Sequence, residues 1–452
     1  SDASKGFLKV GKNNQLRARD IRKIVDAVTE RREIPKFSRR VSRDTIREND
    51  YNLNIPRYVN SAKPDEQWDI YATMFGGIPN NELDAFAPIW LKFPSLRSEL
   101  FRDLGNGYSE LMPSHDELHC VISDNAEVRK FNAEYAEAVS NVGKSLDVHL
   151  IDRLREPDFV ATLNPQSYLA VLTSILFDKV KPFNLIDEYA AYQVLMEHWA
   201  QISGDIEIIH SEGLVAANAV DPNMVVKKKD GKDVEVQDGW AGRIIPIDLV
   251  ERVMLSDEFA TVENDRAIME ATRSHIAEII ENLPETEGDS PWLKDDGSAF
   301  IPKELKAKVK KIKQEYGSNV PEESLESMLL DADKSIDLEK KQKVAYNTAL
   351  VGLISKAIET IENLTPDDII TLLKAKWSAP LNDALIDVDR QLINSFTSQL
   401  TSLSEKYSET LVDIDNKITI AEKSLASLID NLTGSDNDIA GLHEFQKLLR
   451  HE

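Results

Sequence analysis

Apolar positions recur every three or four residues along most of this chain, the spacing that lines one face of an α-helix. The longest series is Leu385, Val388, Leu392, Phe396, Leu400, Leu403, Tyr407, Leu411, Ile414, Ile418, Leu425 and Leu428, broken only at Ala421. Neither Pro nor Gly occurs from Leu381 to Leu432. At about 1.5 Å per residue, the series predicts one helix roughly 70 Å long. A helix over 334–363 is predicted to fold back on it as an antiparallel hairpin. Thr365-Pro366-Asp367-Asp368 then offers an N-cap, a proline at the first helical position and acids at the positive dipole end of a helix running to Trp377. About 30 residues reach only some 45 Å, so part of the long stripe needs other cover. The alternatives are the terminal helix 439–449 around Leu442, Phe445 and Leu448, a second copy, or a partner's helices.

Earlier in the chain, Leu16, Ile21, Ile24, Val25 and Val28 share one face of a helix predicted over 16–33. In 48–59, Tyr51, Leu53 and Ile55 alternate before Pro56, predicting a short edge strand with an extended exit. Helical spacing over 67–102 is interrupted by Gly76-Gly77, Pro79, Pro88 and Pro94, so several short helices are expected. Ser114 and Glu117 form a capping box, and helices are expected near 125–153, 166–179, 184–202, 247–255 and 263–282. The one convincing β signal is Met224 to Val236, two β-branched runs flanking Asp230-Gly231. Six lysines fall on a helix from Lys303 to Tyr316, read as pairing within the protein or touching phosphate. The expected fold is mainly α: a multi-helix domain with one small β-hairpin, followed by a long antiparallel helical hairpin or coiled-coil tail. The expected segments are 1–60, a basic end; 61–282, a helical domain; 283–302, a Pro- and Gly-rich linker; and 303–452, the long-helix tail.

Charge changes this picture. Residues 1–60 hold 15 Lys and Arg against 8 Asp and Glu, while the whole chain of 452 residues carries −24, so residues 61–452 carry −31. That balance repels phosphate over most of the surface, and any nucleic-acid contact must be local. The local candidates are Arg17, Arg19, Arg22, Lys23, Arg31, Arg32, Arg39, Arg40 and Arg43, either a solvated face or a phosphate-facing strip. With 42% hydrophobic and 29% charged residues the chain reads as globular, not disordered. No apolar run approaches the roughly 20 residues that span a bilayer, so a cytoplasmic location and no membrane partner are expected. Cys120 is the single cysteine, which excludes an internal disulfide. A chain opening on Ser1 is expected to continue upstream.

Eight short segments carry a family resemblance. Asp2-Ala3-Ser4-Lys5-Gly6-Phe7, Gly11 to Leu16, Asp20 to Val25 and Glu48 to Val59 resemble the segment that closes the catalytic domain in modification subunits of type I restriction-modification systems. Leu372 to Leu381, Glu405 to Leu411 and Ile439 to Phe445 are similar to the tail of the same subunits, and Asp69 to Pro79 is a thinner match between. The resemblance implies an intact subunit that binds S-adenosylmethionine and methylates adenine N6 in double-stranded DNA. It also implies an assembly with a second modification subunit, a specificity subunit and a restriction subunit. This chain is then the part that docks on the specificity subunit and clamps DNA, with Leu403, Tyr407, Leu411, Ile414, Ile418 and Leu425 as interface candidates. It tilts the basic strip toward DNA. The alternative is an independent helical scaffold with no enzymatic parent.

Neither motif of such a methyltransferase, a glycine-rich turn after a buried strand or an Asn/Asp-Pro-Pro-aromatic loop, occurs in this chain. Asp103-Leu104-Gly105-Asn106-Gly107 reads as a helix C-cap and turn, and Asn164-Pro165 as a helix start. Gly143-Lys144-Ser145 lacks the first glycine of a phosphate loop. His115 and His119 have a zinc-ligand spacing, but Asp116 stands where a metalloprotease has its Glu. No catalytic, cofactor or metal residue is therefore assigned, and the chain alone is expected to be inactive.

Overall fold

A computed structural model describes residues 1–4, 6–61, 67–229, 232–284, 287–288, 290–294, 296–317, 319–322, 324–430, 432–433 and 435–449. It is mainly α, as the spacing predicts, with three small antiparallel sheets among the described residues. Two compact units divide it, each assembled from segments distant in sequence.

The first unit comprises Ser1–Leu146, Asn164–Gln201 and Ala379–Glu452. Its core includes Val128, Phe131, Tyr135, Val139, Val142 and Leu146 of the Ala126–His149 helix. Leu381, Leu385, Val388, Phe396 and Leu400 of the Ala379–Lys406 helix are buried in the same unit. The Tyr135 hydroxyl donates to the Leu385 carbonyl at 3.1 Å. A side chain at Gly143 would collide with the Asn382 amide, so this glycine serves close helix packing. Phe86 and Trp90 meet Phe396 edge-on, each with ring centroids 5.4 Å apart.

The second unit comprises Asp147–Leu163 and Ile202–Ser378. Its frame is a pair of helices, Ser256–Glu281 and Leu325–Glu362. The ion pairs Glu258–Lys356, Arg273–Glu339 and His275–Asp331 run in opposite sequence directions, which makes the pair antiparallel. Within the stretch 283–302, read as a linker, Trp292, Leu293 and Phe300 are buried with Leu305, Val309, Ile312, Leu329 and Ile336. The hairpin forms from Val220–Lys229 and Lys232–Gly242, in a register pairing Val225 with Val236. Its expected turn, Asp230-Gly231, lies outside the described residues. Lys376 is buried here, donating to Asp205 Oδ2 at 2.5 Å and to the Ile244 carbonyl at 2.6 Å. Trp377 Nε1 also donates to Asp205, at 2.8 Å.

The structure corrects five local expectations. The 70 Å helix is two helices, Ala379–Lys406 and Leu411–Ile429. Thr410 caps the second, accepting from the Asp413 amide at 3.0 Å while Asp413 accepts from the Thr410 backbone. Apolar spacing persists across the break because it reports which face is apolar, not whether the backbone is continuous. The antiparallel partner of the Leu325–Glu362 helix is the Ser256–Glu281 helix, in place of the long stripe.

The 48–59 strand is instead the end of the Arg43–Glu48 helix, a turn with Asp50 and Tyr51 at positive φ, and a 3-10 turn, Ile55–Arg57. Asn52 Oδ1 accepts from the Asn54 amide, a local turn bond that outcompetes a three-step alternation with no strand to pair. Asp103–Gly107, read as a helix cap, is mostly strand: Phe101–Gly105 pairs with Tyr108–Leu111, which also pairs with Ile78-Pro79. Gly105, Asn106 and Gly107 all have positive φ, as a tight hairpin turn requires. Finally, the first helix spans Ala18–Thr29 and presents its apolar side outward.

Candidate functional site

The inverted first helix decides where the basic strip points. Asp20 and Asp26 are buried, whereas Ile21, Val25 and Val28 are exposed. Arg17 donates to Asp20 at 2.8 Å and Arg22 to Asp26 at 2.9 Å. Burial alone would push the Asp20 carboxyl up, but hydrogen bonds from Arg17 outweigh it and hold the carboxyl below its usual range. Arg19 pairs with Asp187 at 2.8 Å, and Arg32 with Glu188 at 2.9 Å. The Arg22 guanidinium also lies over Phe177 and Tyr192, and the Lys23 ammonium over Phe37 and Tyr189. Five of the nine basic candidates thus engage their own unit. Arg31, Arg39, Arg40 and Arg43 are exposed; the Arg40 amide donates to Glu33 at 3.3 Å, and its guanidinium approaches the same carboxylate at 4.0 Å.

The six interface candidates also separate. Tyr407 is buried: its hydroxyl donates to Glu82 at 2.5 Å and accepts from the Asp69 amide at 3.1 Å. Burial first, then the Glu82 hydrogen bond, raises its pKa. Lys406 beside it donates to Glu82 at 3.0 Å and to the Gln67 carbonyl. Leu403 is half-buried at an open cleft of about 730 Å³ with Glu82, Phe86 and Lys406. Past the break, Leu411, Ile414, Ile418 and Leu425 are exposed, at 51%, 38%, 49% and 43%.

The terminal helix Asp436–Leu449 packs against this second helix but leaves the stripe open. Its Gln446 donates to the Ala426 carbonyl and to Asp430, both at 2.6 Å, while Phe445 and Leu448 stay exposed. The Ile70–Phe75 helix contacts the Leu411–Ile429 helix and adds exposed Ile70, Met74 and Phe75. Sequence reasoning missed this extension. The signal available was the run Ile70-Tyr71-Ala72-Thr73-Met74-Phe75, too short to show a helical period. Exposed apolar side chains thus stand on two helices that touch each other.

The chemical motifs resolve into structural parts. The Gly105-Asn106-Gly107 turn links two antiparallel strands, and nothing lies within 4 Å of where a side chain at Gly105 or Gly107 would project. With no helix opening at the turn, these residues do not fit S-adenosylmethionine. His115 opens the helix that Ser114 caps, and His119 shares a hydrogen bond with Asn394 at 3.1 Å. Asn164 caps the Pro165–Val180 helix. Among the described residues, no group of three or more His, Cys, Asp or Glu is placed to hold a metal, and no helix is long and apolar enough to cross a membrane.

Residues 1–67 match the N-6 DNA methylase family. The chain is also similar to the methylase subunit of the type I restriction enzyme MpnII of Mycoplasma pneumoniae, 42% identical over 69 residues. That alignment covers 15% of this chain and 13% of the relative. No solved structure matches. The tail segments 372–381, 405–411 and 439–445 lie outside the family match. The likeness to N-6 DNA methylases thus rests on the first 67 residues, and that to a type I methylase subunit on 69 aligned residues.

Proposed function

We propose that this chain is the C-terminal assembly region of a type I modification subunit, an adenine-N6 DNA methyltransferase acting in the cytoplasm with S-adenosylmethionine. It docks on the specificity subunit, within an assembly that includes a second modification subunit, a restriction subunit and DNA. The methylase match over residues 1–67 supports the parent and weighs against an independent scaffold. The exposed Leu8, Val10, Ile21, Val25 and Val28 of this segment then pack on the rest of a methylase domain.

The observation that carries the docking role is the open apolar stripe Leu411, Ile414, Ile418 and Leu425, flanked by Ile70 and Phe75. Such a stripe suits helix-against-helix assembly, in which a buried charge is costly. Leu411→Asp and Ile418→Asp are expected to weaken co-purification with the specificity subunit at least tenfold, about 1.4 kcal/mol. Melting of the isolated chain should barely change, because both side chains already face solvent. A mutant that binds undiminished, or that melts far below wild type, refutes the docking role.

A further inference from the structure

The Pro302–Tyr316 helix carries lysines at 303, 306, 308, 310, 311 and 313 against two acids, Glu304 and Glu315. Its apolar side, Leu305, Val309 and Ile312, is buried against the Leu325–Glu362 helix. The other side presents Lys303, Lys306, Lys310 and Lys313, whose spacing of three, four and three residues makes one stripe about 15 Å long. Lys306 pairs with Asp337 at 2.8 Å. Among the described residues, Lys303, Lys308, Lys310, Lys311 and Lys313 have no carboxylate within ion-pair distance. The same Asp337 is approached by Lys340 at 3.9 Å, and Asp333 also acts electrostatically on Lys306, so the acidic neighbours of the stripe gather at Lys306.

Three of the four stripe lysines, Lys303, Lys310 and Lys313, thus lack an ion-pair partner among the described residues, on a chain of net charge −24. The basic strip of residues 1–60 differs, since five of its nine candidate cations are engaged within their own unit. Protein interfaces are depleted in lysine and enriched in aromatic, Met and Arg side chains, and the stripe itself consists of lysine alone. A row of flexible point charges without apolar anchors suits a repeating anion. We infer that the lysine face of the Pro302–Tyr316 helix contacts the phosphate backbone of double-stranded DNA. The contact is independent of base sequence, since no side chain with a fixed hydrogen-bonding fork lies in the stripe. The inference rests on the proposed methyltransferase reading only for the choice of DNA as the polyanion.

The test measures binding of the full chain to a fluorescent random-sequence duplex across a salt series, with the variant Lys303→Glu/Lys310→Glu/Lys313→Glu. Wild type is expected to bind at low salt, and the variant at least tenfold more weakly. The salt slope should fall by about 2–3, close to one released counterion for each lost phosphate contact. The matching Lys→Gln variant, which adds no repulsion, should lose a similar slope, and thermal melting of both should follow wild type. Absent wild-type binding at low salt, or an unchanged slope, overturns the inference. Competition by poly-glutamate as strong as by DNA, charge for charge, also overturns it and assigns the face to an acidic protein. Co-purification with the specificity subunit involves no DNA, so each proposal can fail without the other.

Discussion

Asp389 shows how one residue is set by its surroundings. It is 3% exposed, and its Oδ1 has no hydrogen-bond partner among the described residues. Burial, the largest influence, pushes its carboxyl above the ordinary range despite the opposing Arg390 contacts. A carboxyl whose folded pKa is raised favours folding below its unfolded value and loses that contribution as pH rises through the folded value. Asp389→Asn is therefore expected to raise the melting temperature at pH 7–8, with the advantage shrinking toward zero in acid. Melting curves at pH 4 and pH 8 check the sign, and a variant less stable than wild type at pH 8 refutes it. Asp205 is the opposite case, buried but satisfied by both Lys376 and Trp377.

Elements depend on ends as much as on faces. The break at 407–410 rests on two devices: Tyr407 and Lys406 anchored on Glu82, and the Thr410–Asp413 capping box. The same Thr-x-x-Asp arrangement at Thr365–Asp368 is legible because a proline follows it. At Thr410 an unbroken apolar series hides it. Thr410→Ala is expected to cost about 1 kcal/mol and to loosen the Leu411–Ile429 helix first. Hydrogen exchange checks this, since amides near Asp413 should lose protection ahead of those in Ala379–Lys406. Between Leu373 and Ala379, by contrast, the chain stays helical by widening into a π turn, Lys374–Ser378, just before Pro380.

For the molecule as a whole, the proposed reading assigns catalysis to sequence outside this chain. The isolated chain is expected to show no saturable S-adenosylmethionine binding by calorimetry and no methyl transfer to DNA. Turnover with this chain alone would refute that expectation and direct attention back to Gly105 and Gly107. Salt dependence belongs at this scale too. A surface of net charge −24 repels phosphate, so any DNA contact is confined to local cationic faces and weakens steeply as salt rises.

Sequence by itself determined the helical class, most helices, a hairpin over 224–236 and the methylase likeness of the first 67 residues. Those features are local: apolar period, caps, turn chemistry and a run of residue identities. Tertiary structure decided which faces were covered. Ile21, Val25 and Val28 form the apolar side that a periodicity argument would bury, yet Asp20 and Asp26 are buried and Arg22 lies over Phe177 and Tyr192, more than 150 residues away. Tyr407 and Leu411 lie on one apolar series, but one is an internal anchor and the other is exposed, because Glu82 and Asp69 reach only the first. Periodicity states that a face exists, and only the folded neighbours determine what it meets.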